Sequence, residues 1–328
     1  MERAGDWRPS ASRDALKLRA DLYAMLRAHF ARTGAMEVET PLLSACGTTD
    51  VHIESFSTRF NGHVDAGSKT RWMRTSPEFA MKRLLAAGIG DCYELGRVFR
   101  DGEAGQRHNP EFTMLEWYRV GWTLADLIDE TAGILSGAMQ LCSQPLVRRD
   151  LTYRALYLAV LGLDPLRATD AELIAAASDI RVDPAGLTRD DWLDLLFTHK
   201  IQATFAPDAL TVVPDFPASQ CALAKVQADA EGDPVAQRFE IYIGPLEMAN
   251  GYDELVDAAE QARRQQADAS VRSARGIPGP PADTRLVAAL QSGLPACSGV
   301  AVGIDRLLMA MQRTDSIASV IAFNFQRA

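Results

Sequence analysis

No two cysteines in this sequence are placed to act together. The five, Cys46, Cys92, Cys142, Cys221 and Cys297, are scattered and form no CxxC pair. That spacing fits neither a zinc site nor a disulfide framework, so a reducing compartment is expected. Long apolar runs are missing too. None reaches the roughly 18 residues of a membrane-spanning helix, and Met1 to Ser10 have no apolar signal core. The expected location is cytoplasmic, with no membrane partner. Positive charge is in short supply, since the formal net charge is −9. Broad nucleic-acid binding needs many cations to neutralise phosphates, which argues against that role while leaving room for a local basic patch.

What is present suits a soluble globular protein. Hydrophobic residues make up 47% and charged residues 23% of 328 positions. That length holds one large domain or two medium ones. The stretch that organises the rest is Tyr93 to Tyr118, where two strand-like runs flank a polar loop, Asp101 to Pro110. Long hairpin loops are uncommon unless they carry function. Arg97, Arg100, Glu103, Arg107, His108, Glu111 and Glu116 crowd into this segment. An arginine fork grips phosphate or carboxylate at two points, so a nucleotide with its metal is one reading. A solvated hairpin of mixed charge is the other.

Around it, Leu18, Leu22, Leu26 and Phe30 fall four apart and predict a helix from Ser12, capped by Ser12 and closed by Gly34. Met36 to Pro41 reads as a short strand. Ile53, Phe56 and Phe60 suggest short strands, with Asn61-Gly62 as a hairpin turn. A helix is expected over Phe79 to Ala87. Ser76, Pro77 and Glu78 stand at its start either as a simple cap or facing a substrate. Residues 123–205 read as a mainly helical region without visible chemistry, with helices over Leu124 to Leu141, Ala171 to Ala177 and Asp190 to Ala203. His29 and His199 read as surface or satisfied histidines.

A strand, Thr211 to Val213, is expected to end at Pro214, with Asp215 to Gln220 as a turn-rich loop. Arg238 to Ile243 alternates at period two, Gly244-Pro245 marks a turn, and Leu246 to Glu254 forms a second strand. If these two run antiparallel, Glu240 and Glu247 approach each other. Paired carboxylates repel unless a cation sits between them, and hard oxygen ligands suit magnesium shared with phosphates. A solvated edge strand is the alternative. Finally, Cys297 to Met311 passes from a glycine-bearing strand into an amphipathic helix. Arg306 sits in its first turn, where the helix dipole disfavours a cation and a bound anion would explain it.

Three of these blocks resemble the motifs of class II aminoacyl-tRNA synthetases, in order and over nearly the whole chain. The helix ending before Pro41 is similar to motif 1, a dimer element. Phe99-Arg100 through Tyr118 is similar to motif 2, and Gly299 to Arg306 to motif 3. The lysyl branch is matched by His108-Asn109-Pro110-Glu111-Phe112-Thr113, by Glu247 to Glu254 and by Gly303-Ile304-Asp305-Arg306. The lack of space for an anticodon-binding barrel, Ala301 in place of glycine, and the variant Met114 to Tyr118 resemble the paralogous family that ligates (R)-β-lysine to elongation factor P.

This resemblance implies an α+β fold, an antiparallel sheet flanked by helices, as one catalytic domain over 1–328 with no anticodon-binding domain. It implies ATP and Mg2+, adenylation of (R)-β-lysine, transfer to a lysine of elongation factor P, a homodimer, and no stable tRNA binding. By position, Arg100 and Arg306 would be catalytic, on the α- and γ-phosphates. Asp101, Gly102, Glu103, His108, Asn109, Phe112, Glu247, Met248 and Gly303 would complete the ATP site, with Phe112 on adenine. Ser76, Pro77, Glu78, Glu116, Tyr118, Asn250, Glu254 and Ala301 would bind the amino acid, and Glu240 and Glu247 the magnesium. Gly102 stands where motif 2 has glutamate, which leaves Glu103 or the backbone to reach the adenine amino group. Three other readings fit less of the pattern: a truncated synthetase acting on tRNA, an asparagine synthetase relative, and a binding module that has lost activity.

Overall fold

The structure, a computed structural model, describes residues 7–63, 67, 69–277 and 279–328. The chain opens with α1 (Arg13–Thr33), β1 (Met36–Glu37), β2 (Leu43–Ser44), β3 (Ser57–Arg59), β4 (Thr70–Met73), α2 (Glu78–Ala86), β5 (Cys92–Phe99) and β6 (Glu111–Val120). Then come α3 (Leu124–Gln140), β7 (Val147–Asp150), α4 (Tyr153–Leu161), α5 (Asp170–Ala176) and α6 (Arg189–Leu196). The rest is β8 (Ala209–Pro217), β9 (Val226–Ala228), β10 (Pro234–Ile243), β11 (Leu246–Asp253), α7 (Ala258–Ala274), α8 (Thr284–Gly293), β12 (Cys297–Gly303) and α9 (Ile304–Gln312). This is the expected α+β class. The chain divides into two compact units, one of residues 1–121, 256–297 and 301–328, the other of 122–255 and 298–300.

In the first unit, α1 forms as its pattern predicts. Ser12 Oγ accepts from Ala15 N, and Gly34 closes the helix at φ 79°. Leu22, Leu26 and Phe30 are fully buried on its inner face, and the Phe30 ring stacks on Tyr93 of β5 with centroids 4.2 Å apart. β1 runs parallel to β5, while β5 and β6 form the antiparallel hairpin from Cys92↔Tyr118 to Phe99↔Glu111. Arg100 N donates to Pro110 O at 2.9 Å, so the loop spans 101–109, close to the reading from sequence. β2, β4 and β3 make a small separate antiparallel sheet. There Phe60 N donates to Lys69 O. The connection therefore covers residues 61–68, and Asn61-Gly62 is not the two-residue turn expected of it. Part of that connection lies outside the described residues.

In the second unit, β8, β10 and β11 pair antiparallel, β9 pairs with β10, and β7 runs parallel to β8. An aromatic cluster of Tyr153, Tyr157, Phe197, Phe205, Phe216 and Tyr242 packs the helical region against these strands. The expected helix over Asp190 to Ala203 instead ends at Leu196, where a π-turn, Phe197–Ile201, takes over. β8 also departs from expectation, because Pro214 and Pro217 lie inside the strand. A bulge on β10 between Ala236 and Phe239 shifts the register opposite this point, and Asp215 adopts φ 62°. Bulges are where a strand tolerates proline, since the missing N–H is not needed by the ladder.

β5 is locked to its surroundings by a buried ion pair. Glu94 accepts from Thr40 N at 3.1 Å and Thr40 Oγ1 at 2.8 Å, and pairs with Arg74 at 2.5 Å. Gly96 makes room, since a Cβ there would lie 2.5 Å from the Arg74 guanidinium. Removing one partner of such a pair strands the other charge. Glu94→Ala should therefore lose about 3–5 kcal/mol of stability in urea unfolding, and Glu94→Gln less. An unchanged midpoint for Glu94→Ala would mean the pair carries no weight.

Candidate functional site

The first unit carries three clusters built from the predicted residues. The first is acidic and buried. Ser76 Oγ donates to Glu116 Oε2 at 2.7 Å, and the Tyr118 hydroxyl donates to Oε1 at 2.7 Å. Ser76 Oγ also accepts from Glu78 N at 3.0 Å. It thus ties the start of α2 to β6, and Pro77 occupies the cap position just before the first helical residue. Lys82, one turn on, donates to Glu78 Oε1 at 2.7 Å with its side chain 1% exposed. Burial pushes the Glu116 carboxyl up to about 8, Glu78 adds to the rise, and the two hydroxyls and Lys82 oppose it. The cluster therefore sets two carboxyl groups beside one resident ammonium, and a further cation would favour the ionised form of Glu116 that burial opposes.

The second cluster lies at the mouth of the hairpin. The Arg100 guanidinium sits 5.3 Å from the Phe112 ring centroid and 3.6 Å from Glu103. Its Nε is buried and, among the described residues, has no hydrogen-bond partner. A buried charged donor in that state is costly, and an anionic ligand would satisfy it. Asp101 turns its carboxylate to Gly102 N at 2.8 Å. Gly102 adopts φ +80°, which an L side chain would resist, so a glutamate there would strain the loop. The third cluster joins loop to helix. Arg306 donates from Nη2 to His108 Nε2 at 2.9 Å, which leaves the imidazole proton on Nδ1. Gly303 precedes α9, and a Cβ there would come no nearer than 3.9 Å to any neighbour. Chain packing alone does not demand glycine at that point, whereas close approach of a ligand would.

Asn109 behaves differently from its neighbours. Its amide is engaged within the protein at both ends, Nδ2 donating to Glu111 O at 2.7 Å and Oδ1 accepting from Phe325 N at 2.9 Å.

The second unit holds the remaining predicted residues. Glu240 accepts from Arg238 and from the Tyr242 hydroxyl, one at each oxygen. Arg238 also reaches Asn250 Oδ1 at 3.3 Å, Gln220 O at 2.8 Å and the Phe216 ring at 4.5 Å. Glu240 is opposite Asn250 in register, and a bulge after Ile241 sets Glu247 against Tyr242. Burial pushes the Glu240 carboxyl up; Arg238 opposes this, and the charge of Glu247 adds to it. Two carboxylates that feel each other on adjacent strands fit a hard divalent cation shared with phosphates. Among the described residues no group of three or more His, Cys, Asp or Glu gathers as a self-sufficient metal cage. Met248 is buried at 2% exposure, Glu254 at 1%, and Ala301 of the first unit is half-buried.

Comparison with known proteins places these clusters in context. The profile of class II tRNA synthetases (D, K and N) matches residues 1–327. An elongation factor P–(R)-β-lysine ligase of Pasteurella multocida is 44% identical over 98% of both chains. That of Mannheimia succiniciproducens is 43% identical over 98% of both, and that of Yersinia enterocolitica 44% identical over the full length of both. The chain belongs to the elongation factor P–(R)-β-lysine ligase family. Within this family, itself of class II synthetase type, the three blocks are α1 with β1, the β5–β6 hairpin, and β12 with α9.

Several residues beside these clusters carry no motif of their own. Lys82 was detectable as the i+4 partner of Glu78 on α2. Arg238 and Tyr242 share the face of Glu240 by period-two alternation. No local signal pointed to Arg74 with Glu94, or to Arg19 with Asp305, since those pairs are set by tertiary packing.

The raised Glu116 carboxyl has a consequence for stability. A carboxyl whose folded value lies above its ordinary value near 4.5 holds its proton longer in the folded state. Stability of the ligand-free protein then falls as pH rises between about 4.5 and about 8. Glu116→Gln should flatten that slope in thermal unfolding across this range. An equal slope in both proteins would show that Glu116 does not titrate there.

Proposed function

We propose that the protein activates (R)-β-lysine with ATP and transfers it to a lysine side chain of elongation factor P. The relatives' activity agrees with the chemistry of the residues present. The observation that carries the reading is the buried Glu78–Lys82–Glu116 cluster, which has capacity for one more ammonium. In the first step, an amino-acid carboxylate oxygen attacks the α-phosphorus, the bond to the β-phosphate oxygen breaks, and pyrophosphate leaves. In the second, an acceptor amine attacks the carbonyl carbon, an amide forms, AMP departs and the amine loses its proton. Both steps need positioning and charge neutralisation rather than a covalent group on the enzyme.

Arg100 serves the α-phosphate and the carboxylate, Phe112 stacks on adenine, and Arg306, oriented by His108, meets the γ-phosphate. Glu78, Glu116, Tyr118, Asn250 and Glu254 receive the amino groups. Glu240 and Glu247 would hold magnesium, which supplies positive charge to the phosphates. The half-buried Ala301 adds a methyl that disfavours an α-amino group while a shifted amine fits. Exposed apolar residues that follow the first helix in the chain, Met36, Leu42 and Leu43, support a homodimer. The scattered cysteines are all free, and among the described residues no helix is long and apolar enough to cross a membrane. Both suit a cytoplasmic enzyme. The net charge of −9 suits a protein acceptor better than stable tRNA binding.

ATP–pyrophosphate exchange should be faster with (R)-β-lysine than with L-α-lysine, and equal or faster exchange with the α-isomer would overturn the assignment. Ala301→Gly should improve use of α-lysine; no change would remove the methyl argument. Glu116→Gln should lower kcat/KM for the amino acid by roughly ten- to a hundred-fold, the weight of one charged hydrogen bond.

A further inference from the structure

The segment that follows α9, residues 314–327, is fastened on two sides. On one side it meets the start of the chain. Ser10 N donates to Ala322 O at 2.6 Å, Ser10 Oγ to Asn324 Oδ1 at 3.0 Å, Arg19 to Val320 O at 2.7 Å, and Arg327 to Arg8 O at 3.2 Å. On the other it meets the hairpin loop at three successive points. Ile317 N donates to Gln106 O at 2.9 Å, Arg107 pairs with Asp315 at 2.7 Å, and Phe325 N donates to Asn109 Oδ1 at 2.9 Å. A cavity of about 260 Å³ lies between them, with Gly105, His108, Ile317 and Asn324 in its wall.

Within the loop the backbone bonds are local, Ala104 N donating to Gly102 O at 2.9 Å and Gly105 N to His108 O at 3.1 Å, and they leave its tip uncovered. Residues 104–108 are exposed, while Asn109 is 8% exposed. Its amide bridges β6, through Glu111 O, to the segment, through Phe325 N. His108, the immediate neighbour of Asn109, is the residue that accepts from Arg306. Holding the Gln106 carbonyl together with the Arg107 and Asn109 side chains therefore restrains the chain on both sides of the imidazole that orients this arginine.

We propose that residues 314–327 form a strap that sets the position of the ATP loop, with Asn109 as the positioning residue and the Phe325 N–H as its latch. The proposal rests on the functional reading above for the ligand, and on geometry alone for the strap. It gives Asn109 a role through the loop rather than through a side-chain contact with nucleotide.

The latch can be cut at one atom. Phe325 is the first central residue of a turn closed by Arg327 N to Asn324 O at 2.8 Å. Proline fits that position of a turn. Phe325→Pro thus deletes the N–H and keeps the turn, whereas Phe325→Ala keeps the N–H and removes a ring that is 55% exposed. Phe325→Pro should raise the KM for ATP roughly three- to ten-fold, the weight of one hydrogen bond, while the KM for the amino acid stays within about two-fold. Phe325→Ala should match the parent protein. Asn109→Ala should reproduce the Phe325→Pro effect, and the two together should add nothing further. Equal behaviour of the proline and alanine variants, or a parallel rise in both KM values, would overturn the strap. If the parent protein exchanges pyrophosphate with neither lysine isomer, the functional reading fails instead. Amide hydrogen exchange over residues 102–109 then decides the strap, with faster exchange in Phe325→Pro than in Phe325→Ala expected and equal rates ruling it out.

Discussion

One buried carboxylate ties together the first unit. Asp305, 2% exposed at the start of α9, accepts from Thr113 N of β6 at 2.7 Å and pairs with Arg19 of α1. Arg19 in turn bonds the Tyr23 hydroxyl at 3.0 Å, and Tyr23 reaches Thr113 Oγ1 at 3.4 Å. The network joins elements far apart in sequence, and it does so beside two residues to which the proposed function gives nucleotide contacts. Phe112 precedes Thr113, and Arg306 follows Asp305. A charge held in low dielectric is tolerated only when its hydrogen bonds are complete, so this network has one well-satisfied geometry and few alternatives. The spacing between the Phe112 ring and Arg306 inherits that rigidity.

Two glutamates that face each other across the hairpin show how environment separates structure from function. Glu94 and Glu116 are register partners on β5 and β6, and side chains directly opposite share a face. Glu94 is saturated by an arginine, a hydroxyl and a backbone amide. Glu116 receives two hydroxyls and feels the charge of Lys82, which also donates to Glu78. The first is a finished structural contact. The second is a carboxyl whose ionised form burial disfavours, and such a site gains most when a cationic ligand arrives.

Features carried by local chemistry were readable in the sequence. The caps of α1 at Ser12 and Gly34, the bounds of the loop near 101–109, the turn at Gly244, and the place of Arg306 in the first turn of α9 each follow from residues within a few positions. Departures arose where a distant partner intervened. Pro214 fails to end β8 because β10 bulges opposite it. Asn61-Gly62 does not set a tight turn because the β3–β4 pairing closes at Phe60 and Lys69. Asn109 reads as a ligand residue in a polar loop, and the structure adds a bond the sequence did not signal, from Phe325 N more than 200 positions away.

The amino-acid order alone carried the class of fold, the succession of the three blocks and the charged residue types gathered in each. These depend on periodicity, caps and charge, which act over a turn or a strand. Only the tertiary structure decided which charges are satisfied: that Glu94 is sealed while Glu116 is raised, that Lys82 occupies the acidic cluster, and that the segment after α9 holds the hairpin loop. The reason is physical. Hydrogen bonding and desolvation depend on what surrounds an atom in space, and a chain fixes that only once it has folded.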